Sequence, residues 1–308
     1  MRLGCFHEFS SAGSRISGGR SQGHKVQRLN PITQEPEYFY YKEVIDRAAL
    51  LNELVVGGLA RELCGPDAKE ITEVRFPLFL LHETALNDAE DHSRYAVLSE
   101  SVGTAPHSDI EVWAQDYFHD HEFVKFKPKH LGVALALDAM VGKSDCKLAN
   151  LVSLRDSQGY CYSIDHESAF AKAPLFIEKA EDALGYIGEF RRKSIVELGH
   201  EDNCPGLDTR DDPNQPLKAR LDVQTAIRPI LLKAIQNDIE SGRIAAFYKK
   251  FASLSDEKLK KVIGQYGLLT EKEELEYFRR LKVIQGELRQ HISQSLGAQE
   301  KPRTYFKP

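Results

Sequence analysis

What the chain lacks narrows its chemistry first. Its 308 residues carry 41 Lys and Arg against 46 Asp and Glu, a formal net charge of −5. There is no excess of positive charge to drive nucleic-acid binding, and no nucleic-acid partner is expected. Long apolar runs are missing: the longest mostly apolar stretch, Leu131–Val141, is too short to cross a bilayer and contains Asp138. No transmembrane segment is expected, and the N-terminus has no apolar signal-peptide core. Paired cysteines are missing too. Cys5, Cys64, Cys146, Cys161 and Cys204 are scattered without a C-x-x-C spacing, which favours free thiols in a reducing compartment such as the cytoplasm. No internal repeat is present. What remains, 42% hydrophobic and 28% charged residues, is an ordinary globular composition, long enough for two lobes.

The local patterns divide the chain. Residues 10–23 (SSAGSRISGGRSQG) are small and polar. They suit a flexible arm, or a glycine-rich loop in which Gly18, Gly19 and Gly23 let backbone N–H groups approach phosphates. Strands are expected at Lys25–Leu29 and Tyr38–Lys42 around the turn Asn30–Pro36, then at Leu78–His82 and Tyr95–Glu100. Between them Ala49–Leu63 has the apolar stripe of a helix, with Asp46 as cap and Cys64-Gly65-Pro66 as stop. The pattern turns helical from Glu111. Leu131–Met140 is apolar nearly all round and predicts a buried helix; Leu151–Leu154 and Tyr160–Ile164 predict short strands. Further helices are expected at Ala180–Glu197, Arg220–Ser241, Arg243–Phe251, Ser255–Tyr266 and Thr270–Ser295, with Ser255 and Thr270 as N-caps and an exposed loop over Glu201–Gln215. The layout is α+β: a flexible N-terminus (1–14), a β-rich lobe (15–102), a mainly helical lobe (103–297) and a tail (298–308).

One stretch carries the chemistry. Gly142-Lys143-Ser144-Asp145 is followed by Asn150, and then by Asp165-His166-Glu167 at the end of a predicted strand. One carboxylate can accept a hydroxyl proton, while an amide oxygen and a second carboxylate can hold Mg²⁺ on nucleotide phosphates. Upstream, Lys42 ends a strand and Glu53 lies on the next helix, an arrangement that can aim an ammonium at phosphates. Singly, these are equally a solvated lysine, a surface glutamate, a turn aspartate, a loop asparagine and a strand-end carboxylate. The joint order is what points to phosphoryl transfer.

On these residues the chain resembles the atypical branch of the protein-kinase-like superfamily that holds HipA-type kinases and phosphatidylinositol 3/4-kinases. Leu51-Asn52-Glu53, in a helix that ends Arg61-Glu62-Leu63-Cys64-Gly65, is similar to the HipA-type Asn-Glu helix. Gly142-Lys143-Ser144-Asp145 with Asn150 resembles the G-x-x-D-x4-N catalytic loop, and Ser163-Ile164-Asp165 the metal-binding element that replaces Asp-Phe-Gly. The resemblance covers about residues 17–170 and implies a bilobal kinase-like fold. It implies that Lys42 contacts the α/β-phosphates of ATP and pairs with Glu53, that Asp145 is the catalytic base, and that Asn150 and Asp165 bind Mg²⁺ or Mn²⁺. The stretch Leu98–Val102, with Glu100 and Val102, would bond the adenine through its backbone. The implied activity is transfer of the γ-phosphate to Ser/Thr hydroxyls of a protein substrate, as in effector kinases that bacteria deliver into a host cytosol. A phosphoinositide kinase, an AMP-transferring enzyme and a pseudokinase binding module are the alternatives. The chain departs from the commoner kinase pattern in having no Arg directly before Asp145 and no A-P-E after Asp165. Control by activation-loop phosphorylation is therefore not expected.

Two further clusters stand out. His119 and His121 have an H-x-H spacing that could share a metal, although a polar surface loop explains them as well. Lys125, Lys127 and Lys129 alternate before the buried helix, and Arg191 and Arg192 follow later. Together they could bind an inositol phosphate or another polyanionic activator, or simply form a solvated charged stripe.

Overall fold

In a computed structural model the chain is described over residues 4–5, 10–16, 23–30, 32–44, 47–65, 75–80, 94–100, 107–109, 128–154, 161–190 and 217–299. The strand-forming run Tyr38-Phe39-Tyr40-Tyr41 lies at the centre of a six-stranded sheet. Its strands are β1 (Gly4–Cys5), β2 (Ser10–Ile16), β3 (Gly23–Leu29), β4 (Pro36–Val44), β5 (Arg75–Leu80) and β6 (Arg94–Glu100), in the order β1-β5-β6-β4-β3-β2. All neighbours are antiparallel except β1 and β5. Asn30 makes the β3–β4 turn, its side-chain oxygen accepting from the backbone N–H groups of Ile32 and Thr33 at 2.8 and 3.1 Å.

The polar run Ser10–Ile16, read from composition as an arm or loop, is strand β2, and Gly23 is the first residue of β3. Composition reports only low hydrophobicity. What orders β2 is a ladder to β3, with a register irregularity between Ser11 and Arg15.

Helix α1 (Arg47–Cys64) crosses behind this sheet and is buried along most of its length. A second sheet joins β7 (His107–Asp109), β8 (Leu151–Leu154) and β9 (Cys161–Ser163). The helices that follow are α2 (Leu131–Met140), α3 (Ala180–Tyr186), α4 (Leu217–Glu240), α5 (Arg243–Ala252), α6 (Asp256–Gly264) and α7 (Glu271–Gln299). Ser255 caps α6 by accepting from Lys258 N, and Thr270 and Glu273 exchange the reciprocal bonds of a capping box at the start of α7. One core joins Leu51, Leu59 and Leu63 of α1 to Leu135 and Met140 of α2, Phe251 of α5, Leu259 of α6 and Leu281 of α7.

Helix α3 is shorter than the expected Ala180–Glu197. Ile187 leaves it in an extended conformation and Gly188–Phe190 forms a 3-10 turn. Gly185 and Gly188 weaken the helix here, and Gly188 N donates instead to Cys146 O at 2.7 Å. The continuation past residue 190 and the helical expectation over 111–127 lie outside the described residues.

Candidate functional site

The end of α2 builds the loop that carries Asp145. Gly142 has φ +59, the left-handed conformation that glycine adopts without penalty. Around it Lys143 N donates to Asp138 O at 3.0 Å and Gly142 N to Ala139 O at 3.1 Å, the paired bonds of a Schellman cap. The other end of α2 is capped from a distance: Gly132 N donates to Oδ2 of the buried Asp238 on α4 at 2.9 Å. A rigid helix, fixed at both ends, thus delivers the loop.

Beneath the loop lies a buried ionic cluster. Asp138 and Lys143 are both 0% exposed, and His166 is 1% exposed. Asp138 Oδ2 accepts from Ser163 Oγ at 2.7 Å and faces Lys143 Nζ at 3.4 Å; its Oδ1 lies 3.1 Å from His166 Nε2. Burial pushes the Asp138 carboxyl up, but the Lys143 ammonium, with His166 and Ser163, outweighs it and holds the group below the usual carboxylate range. An ionised Asp138 can only accept, so His166 Nε2 carries the proton toward it. Lys143 uses its other donors on Ile164 O at 2.6 Å and Ser163 Oγ at 3.1 Å. The ammonium therefore ties the loop before Asp145 to the residue before Asp165.

Above this floor Asp145 is exposed. Its carboxylate is 3.5 Å from Lys147 Nζ, and its backbone N–H donates to Ser168 Oγ at 3.1 Å. Asn150 is buried; its Nδ2 donates to Asp145 O at 2.9 Å and lies 3.4 Å from Asp145 Oδ2. The β8–β9 ladder pairs Leu151 with Ser163 and continues through Ile164 N to Asn150 O at 2.9 Å. Asn150 and Asp165 thus leave the same end of one strand pair. Asp165 turns there with φ +64, a left-handed conformation that aspartate tolerates better than most side chains.

The turn meets α1. Carboxylate oxygens of Glu53, Asp165 and Glu167 all lie within 4.8 Å of one another, a hard-oxygen set able to hold a divalent cation. Glu53 is 1% exposed and its Oε2 is 3.6 Å from His166 Nδ1. Glu53 is therefore buried, which excludes the alternative of a surface glutamate. Its neighbour Asn52 donates from Nδ2 to Glu167 O at 2.7 Å and to Ala169 O at 3.1 Å. Past the turn, the chain runs back along the loop. Ser144 N donates to Ser168 O, Phe170 N to Val141 O, Lys172 N to Gly142 O and Leu175 N to Ala139 O, at 2.7 to 3.1 Å.

The expected residues therefore fall into three groups. Glu53, Asp145, Asn150 and Asp165 are described and converge from α1, the loop and the turn. Lys42, Gly23 and Glu100 are described as backbone: the sheet register sets Lys42 opposite Gly23 on one side and Val97 on the other, with Glu100 opposite Phe39. Lys129 contributes its carbonyl to Cys161 N at 2.9 Å. Gly18, Gly19, Val102, His119, His121, Lys125, Lys127, Arg191 and Arg192 lie outside the described residues.

Sequence reasoning gave no role to Lys143, Asp138, His166 or Asn52, nor to Tyr277, whose hydroxyl donates to Asn52 Oδ1 at 2.7 Å. A lone acid in an all-apolar helix and a lysine just past its end were the signals available for the first two.

No family model matches the sequence, and no curated protein does. Among solved structures, a crystal structure of a Helicobacter pylori proinflammatory kinase, CtkA, is similar over 93% of this chain and 94% of that one, with a TM-score of 0.42 and 14% identity. A likeness at that level says nothing of what the site does; its chemistry follows from the groups around Asp145 and Asp165.

Proposed function

We propose that the chain is an atypical ATP-dependent kinase that transfers the γ-phosphate to a protein Ser/Thr hydroxyl. The observation that carries this reading is the convergence of an exposed Asp145, a buried Asn150 bonded to it, and, just past the same strand pair, the Asp165 and Glu167 carboxylates facing Glu53 of α1. A base must reach solvent-borne substrate, and cation ligands must sit on a rigid support; the two demands are met side by side.

In this reading the hydroxyl oxygen of the substrate forms a bond to the γ-phosphorus while the bond to the ADP oxygen breaks. Asp145 takes the hydroxyl proton at its carboxylate, which lies 3.5 Å from Lys147 Nζ. A Mg²⁺ or Mn²⁺ ion, when bound, neutralises phosphate charge. Asp165 and Glu167, with Glu53 or Asn150, are the oxygens that would hold it. Lys42 would meet the α/β-phosphates from β4, and the backbone around Glu100 and Val102 the adenine, between a β-rich lobe and a mainly helical one. The direct Lys143–Ile164 bond supports a site assembled without activation-loop phosphorylation. Delivery into a host cytosol as an effector belongs to the same proposal.

The test is labelled-phosphate incorporation or ATP hydrolysis with Mg²⁺ or Mn²⁺, wild type against Asp145→Ala. The variant is expected to lose about a hundredfold in rate, roughly 3 kcal/mol of barrier. Equal signals would remove Asp145 as base, and no turnover by either protein would favour a binding module. Intact mass of the modified substrate separates phosphate from AMP transfer.

A further inference from the structure

Helix α7 begins far from the Asp165 turn in sequence, yet one of its side chains closes a buried chain of hydrogen bonds that ends on that turn. Tyr277 OH donates to Asn52 Oδ1 at 2.7 Å. Asn52 Nδ2 then donates to Glu167 O at 2.7 Å and to Ala169 O at 3.1 Å. The amide is fixed in one orientation, because its oxygen must face a hydroxyl donor and its nitrogen two carbonyl acceptors. Asn52 and Tyr277 are 8% and 6% exposed, so water cannot readily replace either partner. The Tyr277 ring also meets Phe170 edge-on, with centroids 5.6 Å apart. Phe170 holds a left-handed φ of +60 and donates its N–H to Val141 O at 2.7 Å. Two residues of this segment, Asp165 and Phe170, therefore sit in conformations that need outside support. Asn52 and Tyr277 supply it from α1 and α7.

We propose that Asn52 and Tyr277 form a positioning clamp through which α7 holds the Asp165–Phe170 turn against α1 and so sets the divalent-cation affinity of the Glu53–Asp165–Glu167 cluster. The cation half of this proposal rests on the reading of that cluster given above; the clamp itself does not. Outer-shell partners of this kind orient the groups that bind a metal without touching it. The clamp also couples α7 to the turn, alongside the backbone bonds that join the turn to the Asp145 loop.

Tyr277→Phe is the discriminating variant, because it removes one hydroxyl and keeps the ring against Phe170. Hydrogen exchange of the full chain, without metal or nucleotide, should speed up at residues 166–170. Mn²⁺ binding, followed by electron spin resonance, should weaken about tenfold. The matched control is Tyr248→Phe, which removes another buried hydroxyl, the one accepting from Ile177 N at 2.8 Å. It should speed exchange at Ile177 and leave 166–170 alone. Unchanged exchange in Tyr277→Phe overturns the clamp, as does equal acceleration at 166–170 in both variants. Asp165→Asn separates the two claims. If it binds Mn²⁺ as well as wild type, the cation reading of the cluster fails, and the exchange data still judge the clamp.

Discussion

Asp138 and Asp145 stand on the same helix-and-loop unit and live opposite lives. Asp138 is fully buried and held by Lys143, Ser163 and His166; Asp145 is exposed and faces one lysine across 3.5 Å. The difference divides the labour of the site. A carboxylate inside the protein is ionised only because cations and donors are fixed around it, so it anchors structure. A carboxylate at the rim keeps its hydration and its reach, so it can exchange a proton with an incoming group.

That contrast can be broken from its strongest side first. Asp138→Ala leaves the Lys143 ammonium buried without its carboxylate and should cost about 3–5 kcal/mol of stability, measured by urea unfolding. A loss below 1 kcal/mol would mean that the cluster is not the anchor described. Asp145→Ala should do the reverse. Its thermal midpoint should stay near wild type, since exposed substitutions rarely exceed about 0.5 kcal/mol, while the proposed phosphotransfer falls about a hundredfold.

Gly142→Ala tests the joint between the two carboxylates. Its Cβ would sit 2.1 Å from Lys172 O at a φ of +59, and about 2 kcal/mol of stability should be lost. The smallest effect calibrates the scale. Glu273, partly buried at the start of α7, is bonded by Arg47 of α1 at 2.8 Å. The Arg47 guanidinium holds its carboxyl down from 4.5 to about 2, helped by Thr270. Its folded-state value is depressed, so its contribution is present above pH 4.5 and is lost as the pH falls toward 2. The midpoint difference between wild type and Glu273→Gln should shrink across that window in low salt. A difference that stays constant there would assign the effect to packing rather than charge.

What was legible in the sequence was local. The extent of Leu131–Met140 was read as found, because an all-apolar run followed by Gly142 announces both its burial and its stop. Ser255 and Thr270 were legible as caps because each precedes a first turn that carries Glu. Order and spacing singled out Asp145, Asn150 and Asp165 as candidates, and the fold sets Asn150 against Asp145. What escaped needed a partner from elsewhere in the chain. Ser10–Ile16 becomes a strand only beside Gly23–Leu29, and Asn52 finds its carbonyls at Glu167 and Ala169. Asp238 caps a helix to which it does not belong, and Tyr277 reaches Asn52 from the last helix. Such pairings are decided by packing, on which a periodicity argument is silent.

The backbone bonds that run the segment after Asp165 along the Asp145 loop have a consequence for ligands. Phe170 N to Val141 O, Lys172 N to Gly142 O, Leu175 N to Ala139 O and Ser144 N to Ser168 O join the two strands of chain like teeth. At about 1 kcal/mol each, swinging that segment outward would cost roughly 4 kcal/mol before any side chain moved. A ligand that binds only after this segment swings outward would lose that much affinity, so ligands for this surface should be sought among those that leave the turn where it is.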